Sequence, residues 1–196
     1  MDLAGLIAGS GWASGLNLYL VTLVLGLAGR FGWTDIPEVL TRTDVLVTVG
    51  VLFLVEFAAD KIPFLDSFWD MLHTVVRPLG AAALGYLLAG QSSSIGQALG
   101  ALVAGALALT SHSAKATTRA VVNTSPEPVS NAVLSFTEDG VATAMTAIAI
   151  TLPMVAIALV VVLAVAGVWV TVRLFGVVRR LRGRWSRLWE PAGTSD

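Results

Sequence analysis

Four stretches of the chain contain no Asp, Glu, Lys or Arg: residues 3–29, 45–55, 78–114 and 140–172, together 108 of 196 residues. A helix crossing the hydrocarbon core of a bilayer needs about 20 mainly apolar residues. The first run holds one crossing, and the third and fourth hold two each. The second becomes a crossing when it continues through Glu56 to about Asp60. The chain therefore reads as an all-α, polytopic transmembrane helix bundle of about six spans. The expected spans are 3–29, 44–61, 79–91, 94–116, 131–152 and 154–176, with a bundle over 1–176 and a basic tail over 177–196.

Composition supports this and removes other classes. Charged residues are 13% of the chain and hydrophobic ones 56%, where soluble domains carry about 25% charge. There is no cysteine and the formal net charge is −1. Disulfide scaffolds, thiolate metal sites and broadly basic nucleic-acid binders are thereby excluded. A transmembrane barrel would alternate apolar and polar residues in segments of about ten, and these runs do not. Asp2 stands where a signal peptide would carry a basic residue.

Local signals punctuate the runs. Gly9, Ser10, Gly11 and Gly15 weaken the first helix near its middle, so it is expected to be interrupted. Pro63 ends the second span, the turn 90–94 separates the third from the fourth, and Pro153 separates the last two. Residues 13–22 can be laid over 114–123, as an inverted three-plus-three repeat would require. Six crossings put both termini on one side, with the loops at 61–78 and 116–130. Ten of the twelve basic residues fall on that side, so the positive-inside rule makes it cytoplasmic, in the cell's inner membrane. Arg179, Arg180, Arg182, Arg184 and Arg187, beside Trp185 and Trp189, suit an anionic leaflet with indoles at headgroup depth.

Ionisable groups at membrane depth are expensive and mark function by default. Glu56 and Asp60 share a face of the second span, about 16 Å from its start in the case of Glu56. Glu56 is the candidate proton carrier, because an ionised carboxylate is costly in apolar surroundings. Asp66, Asp70, His73 and Arg77 form one stripe on an expected short interfacial helix, with Asp66 also a candidate N-cap. His112, Lys115, Arg119 and Asn123 form a second stripe. Asn131, Ser135, Glu138 and Asp139 follow on the fifth span, where the acids can partner Lys115 and Arg119. Asn17 lies beside the weakened middle of the first span, as at the broken helices of transporters. With Lys61, these residues are the expected ion or solute pathway.

The segments 14–20, 55–63 and 66–70, His73, Arg77-Pro78, Ala114-Lys115, Thr118-Arg119, 122–128, Ser130-Asn131 and Glu138-Asp139 resemble the domain of unknown function 4126 family. The resemblance covers most of residues 10–150 and implies a small multi-pass bacterial membrane protein. It implies no activity.

Three functions compete. The first is a transporter or channel for a small ion or polar solute. Seven acids (with Glu127) against Lys61, Arg77, Lys115 and Arg119 leave the cluster at −3, which favours a cation or proton. The second is an enzyme or flippase acting on a lipid or polyprenyl phosphate, with Asp66 and Asp70 sharing Mg²⁺ and Lys115 and Arg119 holding the phosphate. It lacks a second Asp-rich motif. The third is a scaffold or lipid-handling protein whose polar groups only join helices; separately, the glycines suit packing in a homo-oligomer as well as within the bundle. No residue is assigned a catalytic role, no cofactor is expected, and nucleic acid is not a partner.

Overall fold

The computed structural model describes residues 2–62, 64–90, 92–123 and 128–188, the side chains of 128 and 177–188 excepted. The arginines and tryptophans of the tail therefore lie outside the described side chains, as does Glu127. Every regular element among the described residues is a helix: α1 (Leu3–Ser14), α2 (Leu18–Arg30), α3 (Glu38–Thr41), α4 (Thr43–Ala59), α5 (Leu65–Leu88), α6 (Ser94–Val122), α7 (Pro128–Thr151) and α8 (Pro153–Leu188). Four of them, α5 to α8, are each long and apolar enough to cross a membrane. Their outward faces are apolar, as at Val75, Leu102, Phe136 and Val165, whereas Arg77, Arg119, Glu56 and Asp66 are fully buried. A soluble fold inverts that distribution. The chain is an integral membrane protein.

The first apolar stretch is interrupted, as expected, at Gly15, which caps the end of α1, and at Asn17, rather than at Gly9 to Gly11. The Asn17 side-chain oxygen accepts from Leu20 N at 3.0 Å and starts α2 afresh. Gly9 and Gly11 stay helical and admit close neighbours: a Cβ on Gly11 would lie 2.6 Å from Ala104 Cα. Nine of the twelve residues of α1 are buried, so the helix sits inside the bundle against α5, α6, α7 and α8.

The two halves do not run on as one crossing. Along α1, Gly5 meets Pro153, Gly9 meets Ala149, and Asn17 bonds Asp139, so α1 is antiparallel to α7. Beside α6 the order is Gly11 at Ala104, Gly15 at Ser111 and Leu16 at Lys115, so α1 is parallel to α6. From Asn17 the chain returns: Leu18 touches Gly80, and Gly26 reaches Leu40 and Leu46 at the start of α4. α1 and α2 thus form a hairpin whose two outer ends lie at the Pro153 end of the bundle. Each half is about 18–20 Å long and reaches only partway through a ~30 Å core.

Three expectations change. The hairpin places Gly5 beside Pro153, at the end of the bundle from which α8 departs, so the start of α1 and the far end of α8 do not share a side. Residues 13–22, laid over 114–123 of α6, straddle the break between two helices, of which α1 runs with α6 and α2 against it, so the pairing does not match one helix to another. The stripe 66–77 is not a separate interfacial helix: α5 runs unbroken through Pro78, whose missing N–H removes only the bond to Thr74 O. Asp66 consequently lies inside α5, and Phe64 occupies the N-cap position.

Candidate functional site

The tip of the hairpin meets the inner ends of α4, α5, α6 and the middle of α7, and the charged residues gather there. Arg77, at the centre of α5, is wholly buried. Its Nη2 donates to Glu56 Oε1 at 2.5 Å, and its Nη1 reaches His112 Nδ1 at 2.8 Å, Gly15 O at 3.2 Å and Asp70 Oδ1 at 3.3 Å. One guanidinium therefore joins α4, α5, α6 and the end of α1.

Since arginine only donates, His112 Nδ1 must accept, and the ring carries its proton on Nε2. That N–H donates to Thr74 Oγ1 at 3.1 Å, whose own hydroxyl donates to Asp70 O at 3.0 Å. The chain of donors has one direction, and His112 is held neutral in it.

Lys115 and Arg119 sit one turn apart on α6. Lys115 Nζ bonds Asp60 Oδ2 at 2.8 Å and Leu16 O at 3.0 Å, with Glu138 Oε2 at 3.2 Å. Arg119 contacts Glu138 Oε2 at 2.5 Å, Asp60 O at 3.0 Å, Asp60 Oδ2 at 3.1 Å and Asp66 Oδ2 at 3.4 Å. Asn123 completes Asp66 through bonds of 2.9 and 3.1 Å and accepts from Asn131 at 3.0 Å.

The break in the hairpin is part of this arrangement. The last carbonyls of α1, at Trp12, Gly15 and Leu16, accept from Ser111, Arg77 and Lys115. Two of those donors are cations facing the negative end of a helix dipole. At the start of α2, where the dipole is positive, Asn17 Nδ2 donates to Asp139 Oδ1 at 2.9 Å.

The partnering is incomplete. Among the described residues, six carboxyl side chains are buried (Glu56, Asp60, Asp66, Asp70, Glu138 and Asp139) against three buried cations (Arg77, Lys115 and Arg119). Glu56 Oε2, Asp60 Oδ1, Asp70 Oδ2 and Asp139 Oδ2 are buried without a hydrogen-bond partner. A groove of about 300 Å³ between α5 and α6, with Ser67, Asp70, Thr74 and Arg119 on its walls, reaches the edge of the network.

Most of the sequence candidates converge here: Asn17, Glu56, Asp60, Asp66, Asp70, Arg77, His112, Lys115, Arg119, Asn123, Glu138 and Asp139, with Asn131 one bond outside. Two do not join. Lys61 caps its own helix at Phe57 O and reaches Ser135, with Nζ 2.9 Å from the Phe57 ring centroid and 4.6 Å from that of Phe136. His73 bonds Trp69 O and Tyr19 Oη. The sequence reading missed Thr74, although it lies four residues after Asp70, and the α1 carbonyls, which carry no side-chain signal. Asp66 and Asp70 face arginines, and no group of three or more His, Cys, Asp or Glu suited to a metal ion occurs among the described residues. Lys115 and Arg119 spend their donors on Asp60, Asp66 and Glu138, leaving little to offer a phosphate.

Residues 4–173 match the family described as Domain of unknown function (DUF4126), and the chain belongs to that family. No curated protein and no solved structure matches it.

Proposed function

We propose that the chain is a transporter or channel for a small cation, with the proton as the moving or coupling ion, working at the tip of the α1–α2 hairpin. The observation that carries this is the surplus of buried carboxylates: six against three cations, with four oxygens lacking partners. Uncompensated negative charge is costly away from water, so the surplus calls for protons or bound cations. A broken helix whose free ends face ionisable groups is the arrangement by which transporters hold ions near the bilayer midplane.

Sidedness follows from charge. The end carrying Lys61, Lys115, Arg119 and the tail arginines is read as cytoplasmic by the positive-inside rule. The hairpin then opens toward the far side, and the tail rests on an anionic leaflet of a bacterial inner membrane.

The test is ion flux in liposomes containing the purified protein and an internal pH indicator, under an imposed gradient of H⁺, Na⁺ or K⁺. Flux above that of protein-free vesicles, reduced by Glu56→Gln, is expected. Flux equal to empty vesicles for all three ions overturns the reading and leaves the network as a scaffold joining helices.

A further inference from the structure

The groove between α5 and α6 has a use that the ion-pair network does not explain. It lies where α5 begins and α6 ends. Ser67, Asp70, Thr74 and Arg119 bring polar groups to a lining that is otherwise apolar, while Ala116 and Ala120 keep it open by being small. Its volume of about 300 Å³ exceeds several times the ~30 Å³ that one water occupies in the liquid. Met71 forms the apolar lip of the groove, and Val75, outside it, presents an exposed apolar side chain to the lipid. Asp70 lines the groove wall, and its Oδ2 lies buried behind it, with no hydrogen-bond partner and 3.9 Å from Arg119 Nε, outside hydrogen-bond reach.

We propose that this groove is a water-filled inlet through which protons reach Asp70 Oδ2, and that Asp70 transmits its change of charge to the hairpin tip through Arg77. The inference deepens the cation-transport reading and rests on it for the use made of the proton. The step is simple: a hydronium in the groove gives its proton to Oδ2, an O–H bond forms, and a water molecule is left behind. Arg77 keeps its own protons throughout. It shares Nη1 among Asp70, His112 and Gly15 O and holds Glu56 with Nη2. Neutralising Asp70 removes one of the two carboxylates on Arg77 and leaves the guanidinium to Glu56, His112 and Gly15 O.

The groups around Asp70 set how readily it takes the proton. Arg77 on α5 and Arg119 on α6 face it with opposite charge, Lys115 stands one turn before Arg119, and Asp60 at the end of α4 brings a like charge to the same cations. His112 meets the Asp70 turn through Thr74 and through the shared Arg77 Nη1, and is neutral there.

The chain has no cysteine, so single-cysteine variants report access directly. Thr74→Cys and Ala116→Cys face the groove, and Val75→Cys and Leu79→Cys face outward. In liposomes, a charged methanethiosulfonate reagent should modify the first two at least about tenfold faster, because the thiolate is the reacting form and forms poorly in lipid. Infrared spectra should also show a carboxylic acid band that appears on acidification, shifts in D₂O and is absent from Asp70→Asn. Should that variant not fold, Ala116→Leu, which fills the groove and keeps Asp70, should slow the D₂O shift. Equal labelling of all four cysteines, a band unchanged in Asp70→Asn, or an unslowed shift in Ala116→Leu overturns the inlet. Labelling and infrared results as expected in a protein without ion flux overturn the transport reading and leave the inlet standing. Flux with a dry groove does the reverse.

Discussion

Arg77 and Glu56 face each other across α5 and α4 at 2.5 Å, and neither side chain has any exposed surface. A buried pair of this kind is dear to form and dearer to break, because removing one partner strands the other charge. Arg77→Ala should therefore cost about 3–5 kcal/mol, and Glu56→Gln less, since the amide retains an acceptor. In reversible unfolding from mixed micelles, the double variant Glu56→Gln/Arg77→Gln should fall short of the sum of its parts. Additivity within about 0.5 kcal/mol would show that the two groups are not coupled.

Asn17 performs two tasks with one amide, capping α2 and donating to Asp139. Asn17→Ala loses a cap, typically about 1 kcal/mol, and leaves Asp139 with neither oxygen bonded, a further 1–3 kcal/mol or so. Asn17→Asp separates the two tasks. The carboxyl oxygen still caps α2, and in acid a protonated carboxyl replaces the amide donor. As pH rises, two carboxylates oppose each other and the variant should lose stability relative to the parent. Thermal unfolding of both proteins across pH measures this, and parallel profiles would refute it.

Three places show how much of the fold is legible in the sequence. The stripes Asp66-Asp70-Arg77 and His112-Lys115-Arg119 were legible because helical spacing alone puts those residues on one face, and burial at membrane depth obliges them to find each other. The continuity of α5 through Pro78 was not legible. A proline is tolerated inside a membrane helix when its neighbours satisfy the freed carbonyl, and that depends on packing. The hairpin was hidden for a different reason. A run of 27 uncharged residues has the length of one crossing or of two half-crossings, and hydropathy reports depth without direction. The local signals were Gly15 and Asn17, the latter a residue that competes with the helix and restarts it.

Gly11 is where α1 comes nearest to α6, with an added Cβ at 2.6 Å from Ala104 Cα and 2.9 Å from its Cβ. Backbone on both sides must move to admit a methyl, so Gly11→Ala should destabilise by about 1–3 kcal/mol and Gly11→Val by more. Gly50, midway along α4, has nothing within 4 Å of an added Cβ. There alanine should gain up to about 1 kcal/mol of helix propensity. Melting temperatures in detergent compare the two, and a Gly11→Ala protein as stable as the parent would remove the close approach.

The hairpin makes a prediction that separates it from a single interrupted crossing. If α1 and α2 crossed in series, Asp2 and Gly176 would lie on the same face of the membrane, since an even number of crossings separates them. With both hairpin ends at the Pro153 end of the bundle, Asp2 instead shares a face with Ser92, which precedes α6, and Gly176 lies on the other. In a chain otherwise free of cysteine, Asp2→Cys and Ser92→Cys should be modified by an impermeant thiol reagent from one side of sealed vesicles. Gly176→Cys should be modified from the opposite side. Vesicles of inverted orientation should exchange the two patterns. Labelling of Asp2→Cys together with Gly176→Cys would restore the serial crossing. It would also remove the hairpin tip on which the arrangement of Arg77, Lys115 and Asp139 depends.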